Sequence, residues 1–447
     1  MRGSRLTKIL TILLFGMVVL GCVGGLAAEK EVVYMSDEAD PKSVAIFNQI
    51  AADFTAETGI KVKNLFVGFD EFPQRLATLI AVGKPPQMVK QGGAEGVMYY
   101  NRGLAIPVTD LCNELGIEES LRFKMDGEDT FIPSNIDFSE AWYRSDLLEA
   151  SGLDVPETWD EYLEVARALN NPPDLYGANI PTSKTLACEL VWSFICYTND
   201  IHWKRFNEDG TVEVILDQGE NKQRAIEGLE FARELAKYSP PGATASWTEM
   251  MANFATGRAA ISQYCGARLL DSVYTNNRDL YPYTKPMRWP YNAAAAAAGL
   301  DVSKIPLWIE GYIIFDTDLN EETKQFAKYF LTSAGFAEWC LSVPFHIVPY
   351  SMDIWHSDAF TSHPRIAERP DVYQFIEDNF ADGLPQALWD APEGQVDPYR
   401  NLHENAHMGG EMIARVVVGG EDPAKVIEET ADELRRLITE EQRKTGG

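Results

Sequence analysis

SEAWYRSDLLEASGLDVPETWDEYLEVARALN, residues 139–170, is the stretch from which the fold is read. An aromatic strand end, Trp142-Tyr143, runs into a short helix predicted over Ser145–Ala150. Gly152 stands where that helix must stop, at the left-handed cap position that glycine adopts without a Cβ penalty. Pro156 then breaks the chain and Thr158 starts a second helix. Thr158-Trp-Asp-Glu161 has the spacing of a capping box, in which the Thr and Glu side chains each satisfy an orphan backbone donor. Tyr162, Val165, Ala166 and Leu169 follow at helical spacing and define one buried face. The unit is strand, helix, turn, helix.

Outward from it, the same reading gives alternating strands and helices. Toward the N-terminus, Glu31–Met35 is a strand, and Asp40-Pro41 opens a helix with Asp as cap and Pro in the first turn. Phe47, Ile50, Ala51 and Phe54 form its buried face, Gly59 ends it, and Ile60–Val67 is the next strand. Such a β-α-β unit implies a parallel pair with a right-handed crossover. Phe72–Val82 reads as a helix, Met88–Lys90 as a third strand, Gly92-Gly93 as a tight turn, and Glu95–Asn101 as a helix. A longer strand runs from Phe131 through Tyr143. Downstream, Cys188–Tyr197 is apolar all round and therefore a buried helix. Asp217–Glu220 caps a helix that turns Ala225, Leu229, Ala232 and Leu235 inward. Ile261–Tyr264 and Leu307–Asp316 are strands, and Ala293–Ala298 is one helical turn. Further helices are predicted over 321–333, 357–361, 371–380, 402–418 and 423–441, and no internal repeat is visible.

A chain of 447 residues implies more than one domain. The net charge of −28 is spread along the chain. That excludes nucleic acid as a partner, because affinity for phosphate needs clustered cations. It fits a solvated acidic surface, salt adaptation or a cationic ligand. Residues 1–22 read as an export signal: Arg2, Arg5 and Lys8 precede an apolar run, Ile9–Leu20, too short for the ~20 residues a spanning helix requires. Val19-Leu20-Gly21-Cys22 has the form of a lipobox, which makes Cys22 the lipidation site. Cleavage after Ala28 and an uncleaved anchor are the alternatives, and 23–29 is a linker. Cys112, Cys188, Cys196, Cys265 and Cys340 contain no C-x-x-C pair. Their odd number leaves at least one thiol unpaired, and buried free thiols are expected.

The 139–170 phrase resembles the family 1 extracellular solute-binding proteins of ABC importers, which include maltose-binding proteins. The matching family phrase is an aromatic pair, a polar residue, Asp-Leu-Leu, then Gly-Leu-x-x-Pro-x-Thr-Trp-Asp-Glu. This chain carries Arg144 where the family has Asn. Trp247–Ala260 matches the phrase Trp-x-Glu, Phe-x-x-Gly-Lys-Ala-Ala, with Arg258 for the Lys. Gly83-Lys-Pro-Pro-Gln87-Met lacks the family's Asp. Val343–Pro349 resembles the return crossover. The resemblance implies an α/β periplasmic-binding fold of two lobes, each a mostly parallel sheet flanked by helices. Lobe one would be 30–138 plus 272–335, and lobe two 139–271 plus 336–441. It further implies a lipid-anchored monomer on the outer face of the cytoplasmic membrane. That receptor would capture a mono- or oligosaccharide in the inter-lobe cleft and hand it to permease subunits, with no catalysis and no cofactor. The same scaffold binding glycerol phosphate or a polyamine is the alternative.

No P-loop, no G-x-G-x-x-G and no G-x-S-x-G is present, so nucleotide and serine-hydrolase chemistry lack a motif. His403-Glu404-Asn405-Ala406-His407 is H-E-x-x-H, which on one continuous helix would offer two imidazoles to zinc and a glutamate base. It is the basis of a less favoured zinc-hydrolase reading; no metal is expected. In open parallel sheets ligands sit beyond the carboxyl ends of the strands. That selects Asp37, Glu38, Phe69, Gln91, Asn135, Asp137 and Tyr264 as candidate ligand contacts. Trp308, Glu310 and Tyr312 on the late strand, and His346 in the return crossover, complete the set. Aromatic rings suit the apolar faces of a sugar, and amides and carboxylates suit its hydroxyls. Trp308, Glu310 and Tyr312 are expected to share one strand face.

Overall fold

The structure, a computed structural model, describes residues 30–68, 71–207, 211–240, 246–263, 266–385, 388–391 and 396–445. The signal with Cys22, together with Phe69, Tyr264 and Cys265, lies outside the described residues.

The first third of the chain folds as predicted. Strand β1 (Glu31–Ser36) leads to helix α1 (Pro41–Thr58), whose Asp40 side chain accepts from the backbone N–H of Lys42 and Ser43. Gly59 closes α1 at φ 76°, a left-handed conformation that costs glycine little. Strand β2 (Lys61–Phe66), helix α2 (Phe72–Ala81), strand β3 (Met88–Gly92) and helix α3 (Gly93–Asn101) follow. β1 pairs in parallel with β2 on one side and with β3 on the other.

The strand expected over Phe131–Tyr143 is two strands. β4 (Ile132–Phe138) belongs to the first sheet, and β5 (Ala141–Arg144) to a second one, with Ser139-Glu140 as the joint. Helices α4 (Ser145–Ser151) and α5 (Trp159–Leu169) follow; Gly152 is left-handed at φ 64°, and Thr158 and Glu161 form the capping box. Helix α6 (Leu186–Tyr197) is buried along almost its whole surface. Helix α7 (Gly219–Ala236) is not capped by Asp217; Gln218 stands at the cap, and Asp217 pairs with Arg435 instead. Helix α8 (Trp247–Ala255), strand β6 (Ile261–Ser262), helix α9 (Arg268–Asn276) and strand β7 (Thr284–Met287) complete the middle of the chain. β5 is flanked by β6 and β7, both antiparallel to it.

Strand β8 (Ile305–Ile314) returns to the first sheet, antiparallel to both β3 and β4. Short strands β9 (Val348–Pro349) and β10 (Gly383–Pro385) pair with β4 and with the start of β8. The first sheet thus runs β2-β1-β3-β8-β4-β9. Helices α10 (Asn320–Thr332), α11 (Ala334–Cys340) and α12 (Pro370–Asn379) lie between and after these strands. The helix predicted over 402–418 is broken into α13 (Arg400–Glu404) and α14 (Met408–Val417), with His407 left-handed at the break; α15 (Pro423–Thr445) ends the described chain.

Two hydrophobic clusters result. In the first, Tyr34 stacks on Phe47 at 4.3 Å, and Phe326, Phe330 and Trp339 close around them. The second contains α5, α6, α7 and α14, with Trp159 stacked on Phe231 at 4.3 Å. Buried residues from Phe336 to Ile376 pack in the first cluster together with Met250, Phe254, Leu269 and Leu270, and those from Met408 to Ile438 pack in the second. Cys112, Cys188, Cys196 and Cys340 are buried free thiols. Cys188 and Cys196 share α6, two turns apart, beyond disulfide reach.

Candidate functional site

Strand direction gathers the site. β1 and β3 are parallel and end on the same edge of the sheet. β8 runs against β3 with Glu310 opposite Gly92, so the first half of β8 reaches that edge too. On the other side of β8, Glu310 faces Asn135 and Trp308 faces Asp137 of β4. Asp37, Glu38, Gln91, Asn135, Asp137, Trp308 and Glu310 are therefore brought to one edge of one sheet.

At its centre Lys90 of β3 makes an ion pair with Glu310 of β8. The Lys90 side chain is 2% exposed and that of Glu310 18%. Asn135 Nδ2 donates to Glu310 Oε2 at 3.1 Å and lies 3.4 Å from Asp137 Oδ1. From α9, Arg268 reaches Glu38 Oε2 at 2.8 Å, and the Glu38 backbone N–H donates to Ser36 Oγ. His346 Nδ1 stands 3.8 Å from Asp137 Oδ1. A Cβ on Gly266 would meet the same Nδ1 at 2.8 Å, so glycine there, also held at φ +94°, makes room for the imidazole.

These groups titrate as a crowd of buried charges. Burial would lower the Lys90 ammonium, but the carboxylates of Glu310, Asp37, Glu38 and Asp137 raise it instead. Burial pushes Glu310 up, and the Lys90 ion pair overcomes it and holds the carboxyl below its usual range. Asp37 is pushed up to about 7 by burial, with Glu310 and Glu38 repelling its charge. Asp137 is raised well above the normal carboxyl value by burial and by Glu310. Burial, Arg268 and Lys90 all disfavour a proton on His346, which is neutral.

The turn from β3 into α3 supplies a second group. A Cβ on Gly93 would lie 2.4 Å from the Phe123 ring, and one on Gly92 would lie 2.9 Å from Glu95 Oε2 and 3.6 Å from the Trp308 ring. The two bare Cα atoms let Glu95 and Trp308 converge beside the sheet edge. Glu95 is buried; desolvation, then repulsion from Glu404, pushes it up to about 8. Glu404 is paired with Arg400 at 2.9 Å within α13, leaving its buried Oε1 without a hydrogen-bond partner among the described residues. One turn of chain from the second cluster thus faces α3 across the site.

The predicted residues sort accordingly. Asp37, Glu38, Asn135, Asp137, Trp308, Glu310 and His346 come together; Gln91 lies at the same sheet edge, but its register partner is Gly311, which puts its side chain on the opposite face from Glu310. Tyr312 does not join them: it is fully buried, 6.0 Å from the Tyr34 ring and 5.8 Å from Phe330. It shares a strand face with Glu310, but β8 descends from the sheet edge into the core, and Tyr312 lies one pleat deeper, under α1 and α10. The less favoured zinc reading of H-E-x-x-H loses the geometry it would need. The chain leaves the helix at 405–407, so His403 and His407 do not share a face. His403 stacks on Trp203 at 4.3 Å, and His407 Nδ1 contacts its own turn at Glu404 O. Asp390, Asp397 and His403 do place ligand-type atoms within 4.8 Å of one another. There Lys204, fully buried, already stands 2.7 Å from Asp397 and 3.6 Å from Asp390, so the carboxylates have their cation. Lys90, Glu95, Arg268 and Arg400 carry no site expectation from the sequence, and Glu404 carries one only as the base of the zinc alternative. For Lys90 a signal existed, since a lysine inside a short central strand is costly to bury without a partner.

A cavity of about 560 Å³ lies elsewhere, lined by Tyr143, Pro156, Met287, Trp289, Tyr291 and Ile305 among others. None of the sheet-edge residues borders it. The sheet edge is the stronger candidate, because convergent buried polar groups beside an aromatic ring mark a recognition site more directly than volume does.

The sequence model of the family described as bacterial extracellular solute-binding protein matches residues 38–335. YcjN of Escherichia coli K12, named as an ABC transporter periplasmic-binding protein, is 25% identical over 268 residues, 57% of this chain and 60% of its own length. The mannitol-binding protein of Pseudomonas aeruginosa is 27% identical over 204 residues, 42% of this chain. The chain spans about half the length of these curated relatives, 44% in the mannitol-binding protein. Among solved structures, an ABC transporter solute-binding protein of Thermotoga lettingae bound with α-D-tagatose superposes with a TM-score of 0.70. The superposition covers 91% of this chain and 99% of that one at 19% identity, so the likeness is one of fold.

Proposed function

The chain belongs to the bacterial extracellular solute-binding proteins, and on that premise we propose that it captures a carbohydrate or polyol at the sheet edge formed by β1, β3, β4 and β8. The observation that carries this reading is the convergence of Trp308 with Asp37, Asn135, Asp137 and Glu310, an apolar ring beside hydrogen-bonding groups. Two relatives point the same way: one is named for mannitol and one solved structure holds tagatose. Gly266, Arg268, Arg400 and Glu404 come from outside the first sheet. In this reading they close on the ligand as two lobes swing together, residues 139–271 plus 336–441 moving against 30–138 plus 272–335. Ligand shifts an open–closed equilibrium through contacts made only in the closed form. The closed form then presents the ligand to the permease subunits of an ABC importer. Cys22 anchors the protein to the outer face of the cytoplasmic membrane. Nothing in the cycle calls for catalysis.

The test is a thermal-shift panel of sugars, polyols, sugar phosphates and diamines on the purified protein. A ligand at one hundred times its dissociation constant adds about 2.7 kcal/mol of stability, so a sugar or polyol should raise the melting temperature by several degrees. Stabilisation by phosphates or diamines alone, with every sugar silent, overturns the carbohydrate reading.

A further inference from the structure

We propose that the ligand carries a protonated amine, an amino sugar or aminated polyol whose ammonium group is held by Asp37, Glu95 and Asp137 beside the Trp308 ring. The inference rests on the carbohydrate reading above and narrows it.

The argument begins with charge. Six carboxyls gather at the sheet edge: Asp37, Glu38, Glu95, Asp137, Glu310 and Glu404. Three permanent cations accompany them, and each has its own partner: Lys90 with Glu310, Arg268 with Glu38, Arg400 with Glu404. Among the described residues, Asp37 and Glu95 have no cation within ion-pair distance, and Asp137 has only the neutral His346 at 3.8 Å. Asp37 follows the end of β1, Asp137 lies opposite Trp308, and Glu95 Oε2 stands beside Gly92 opposite Glu310, so all three surround the same end of the sheet. Domain closure over such a site removes water, and a buried carboxylate without a partner is then costly.

A neutral sugar would donate hydroxyl hydrogens and leave the raised carboxyls holding their protons. A phosphate or carboxylate ligand would deepen the excess of carboxyls over cations. An ammonium group matches it, and does so where the ring is: Gly92 leaves both Glu95 Oε2 and the Trp308 ring open to the same point, 2.9 Å and 3.6 Å from an added Cβ. A cation beside an indole gains a further attraction from the ring, while the ring face remains for the apolar side of a sugar. The remaining polar groups are those of hydroxyl recognition. Asn135 offers its amide and Glu404 Oε1 is buried without a hydrogen-bond partner among the described residues. Those groups, with the aromatic ring, argue for a hydroxylated amine rather than a bare linear polyamine. The raised Asp37 and Glu95 carboxyls fit the same picture, since they hold protons that a cation would displace.

The experiment is calorimetry on the full mature chain at pH 6.5 with matched probes: glucose against glucosamine, galactose against galactosamine, mannose against mannosamine, and cellobiose against its diamino counterpart, with putrescine as the non-sugar amine. The expected result is that at least one amine member binds tenfold or more tightly than its neutral partner. That preference should shrink as salt is raised from 50 mM to 0.5 M, because added ions screen the charges. In Asp37→Asn and Glu95→Gln the ratio between the two members should fall severalfold. A neutral sugar that binds as tightly as its amine overturns this inference and leaves the carbohydrate reading intact. Putrescine binding with every sugar silent, or no binding of any probe, overturns the carbohydrate reading and this inference with it. The wild-type comparison stands alone if a variant fails to fold.

Discussion

Replacing Lys90 with methionine tests the electrostatic account of the site most directly. Methionine keeps the length and apolar stem of the side chain and deletes the charge. Lys90 is 2% exposed and its partner Glu310 18%, so the variant strands a mostly buried carboxylate beside Asp37, Glu38 and Asp137. Breaking a buried pair by removing one member costs about 3–5 kcal/mol. Glu310 keeps its bond from Asn135 at 3.1 Å and some access to water, which argues for the lower end, about 3 kcal/mol. In a chain of this size that is a fall of roughly 5 °C in melting temperature. The pH dependence follows from the sign of the shift. The pairing holds Glu310 below its unfolded value, so its stabilisation is present above that value and lost as pH falls through the lowered folded one. The deficit of Lys90→Met should be full at pH 7.5 and shrink toward pH 4.5, where Glu310, no longer paired, takes up a proton. Adding Glu310→Gln removes the stranded charge, and the double variant should recover more than half of the loss. Circular dichroism melts at the two pH values measure all of this. Equal deficits at both pH values, or a double variant no more stable than Lys90→Met, would show that the lysine contributes packing and not charge.

Three further outcomes are expected. Trp308→Ala should melt near the wild-type temperature yet bind the sugar found by the panel at least tenfold more weakly, since truncating a buried stacking aromatic costs about 2 kcal/mol or more; unchanged affinity in calorimetry would mean the ring does not touch ligand. Glu140, at the joint between β4 and β5, is buried and raised to about 8 by desolvation, with its Oε2 lacking a hydrogen-bond partner among the described residues; a raised carboxyl destabilises as pH climbs from its unfolded value to its folded one. Glu140→Gln should therefore leave the melting temperature unchanged at pH 5 and raise it at pH 9, with an upper limit of about 5 kcal/mol, and equal effects at both would refute the assignment. Cys22→Ala should move the protein from the membrane to the soluble fraction, and equal partition of variant and wild type would refute lipid anchoring.

Local sequence determined the local structure of this chain. The capping box of Thr158 and Glu161, the Asp40 cap, and the left-handed stops at Gly59 and Gly152 all stand where their residue types put them. Each rests on contacts within four residues, so no distant part of the chain is needed to make them. The mostly apolar character of α6, on every side, likewise forced it into the interior, Glu189 included. The strand-end rule, joined to the order of strands and helices, pointed to most of the site. Alternation along β8 identified which face Trp308, Glu310 and Tyr312 share, but alternation says nothing of depth; helices packed over the far half of the strand put Tyr312 in the core. The break at Ser139-Glu140 was invisible because each half reads as strand, and only the pairing of β5 with β6 and β7 turns the chain out of the first sheet. H-E-x-x-H carries the spacing of a zinc site, yet the chain's exit from helix at His407 separates its imidazoles. The charges of the site were legible as letters and not as partners. Lys90 and Glu310 are 220 residues apart, and Glu38 and Arg268 are 230 apart. Whether such charges are solvated ornaments or buried pairs depends on the register of strands that meet only after folding, because burial is what makes a lone charge costly and a matched one necessary.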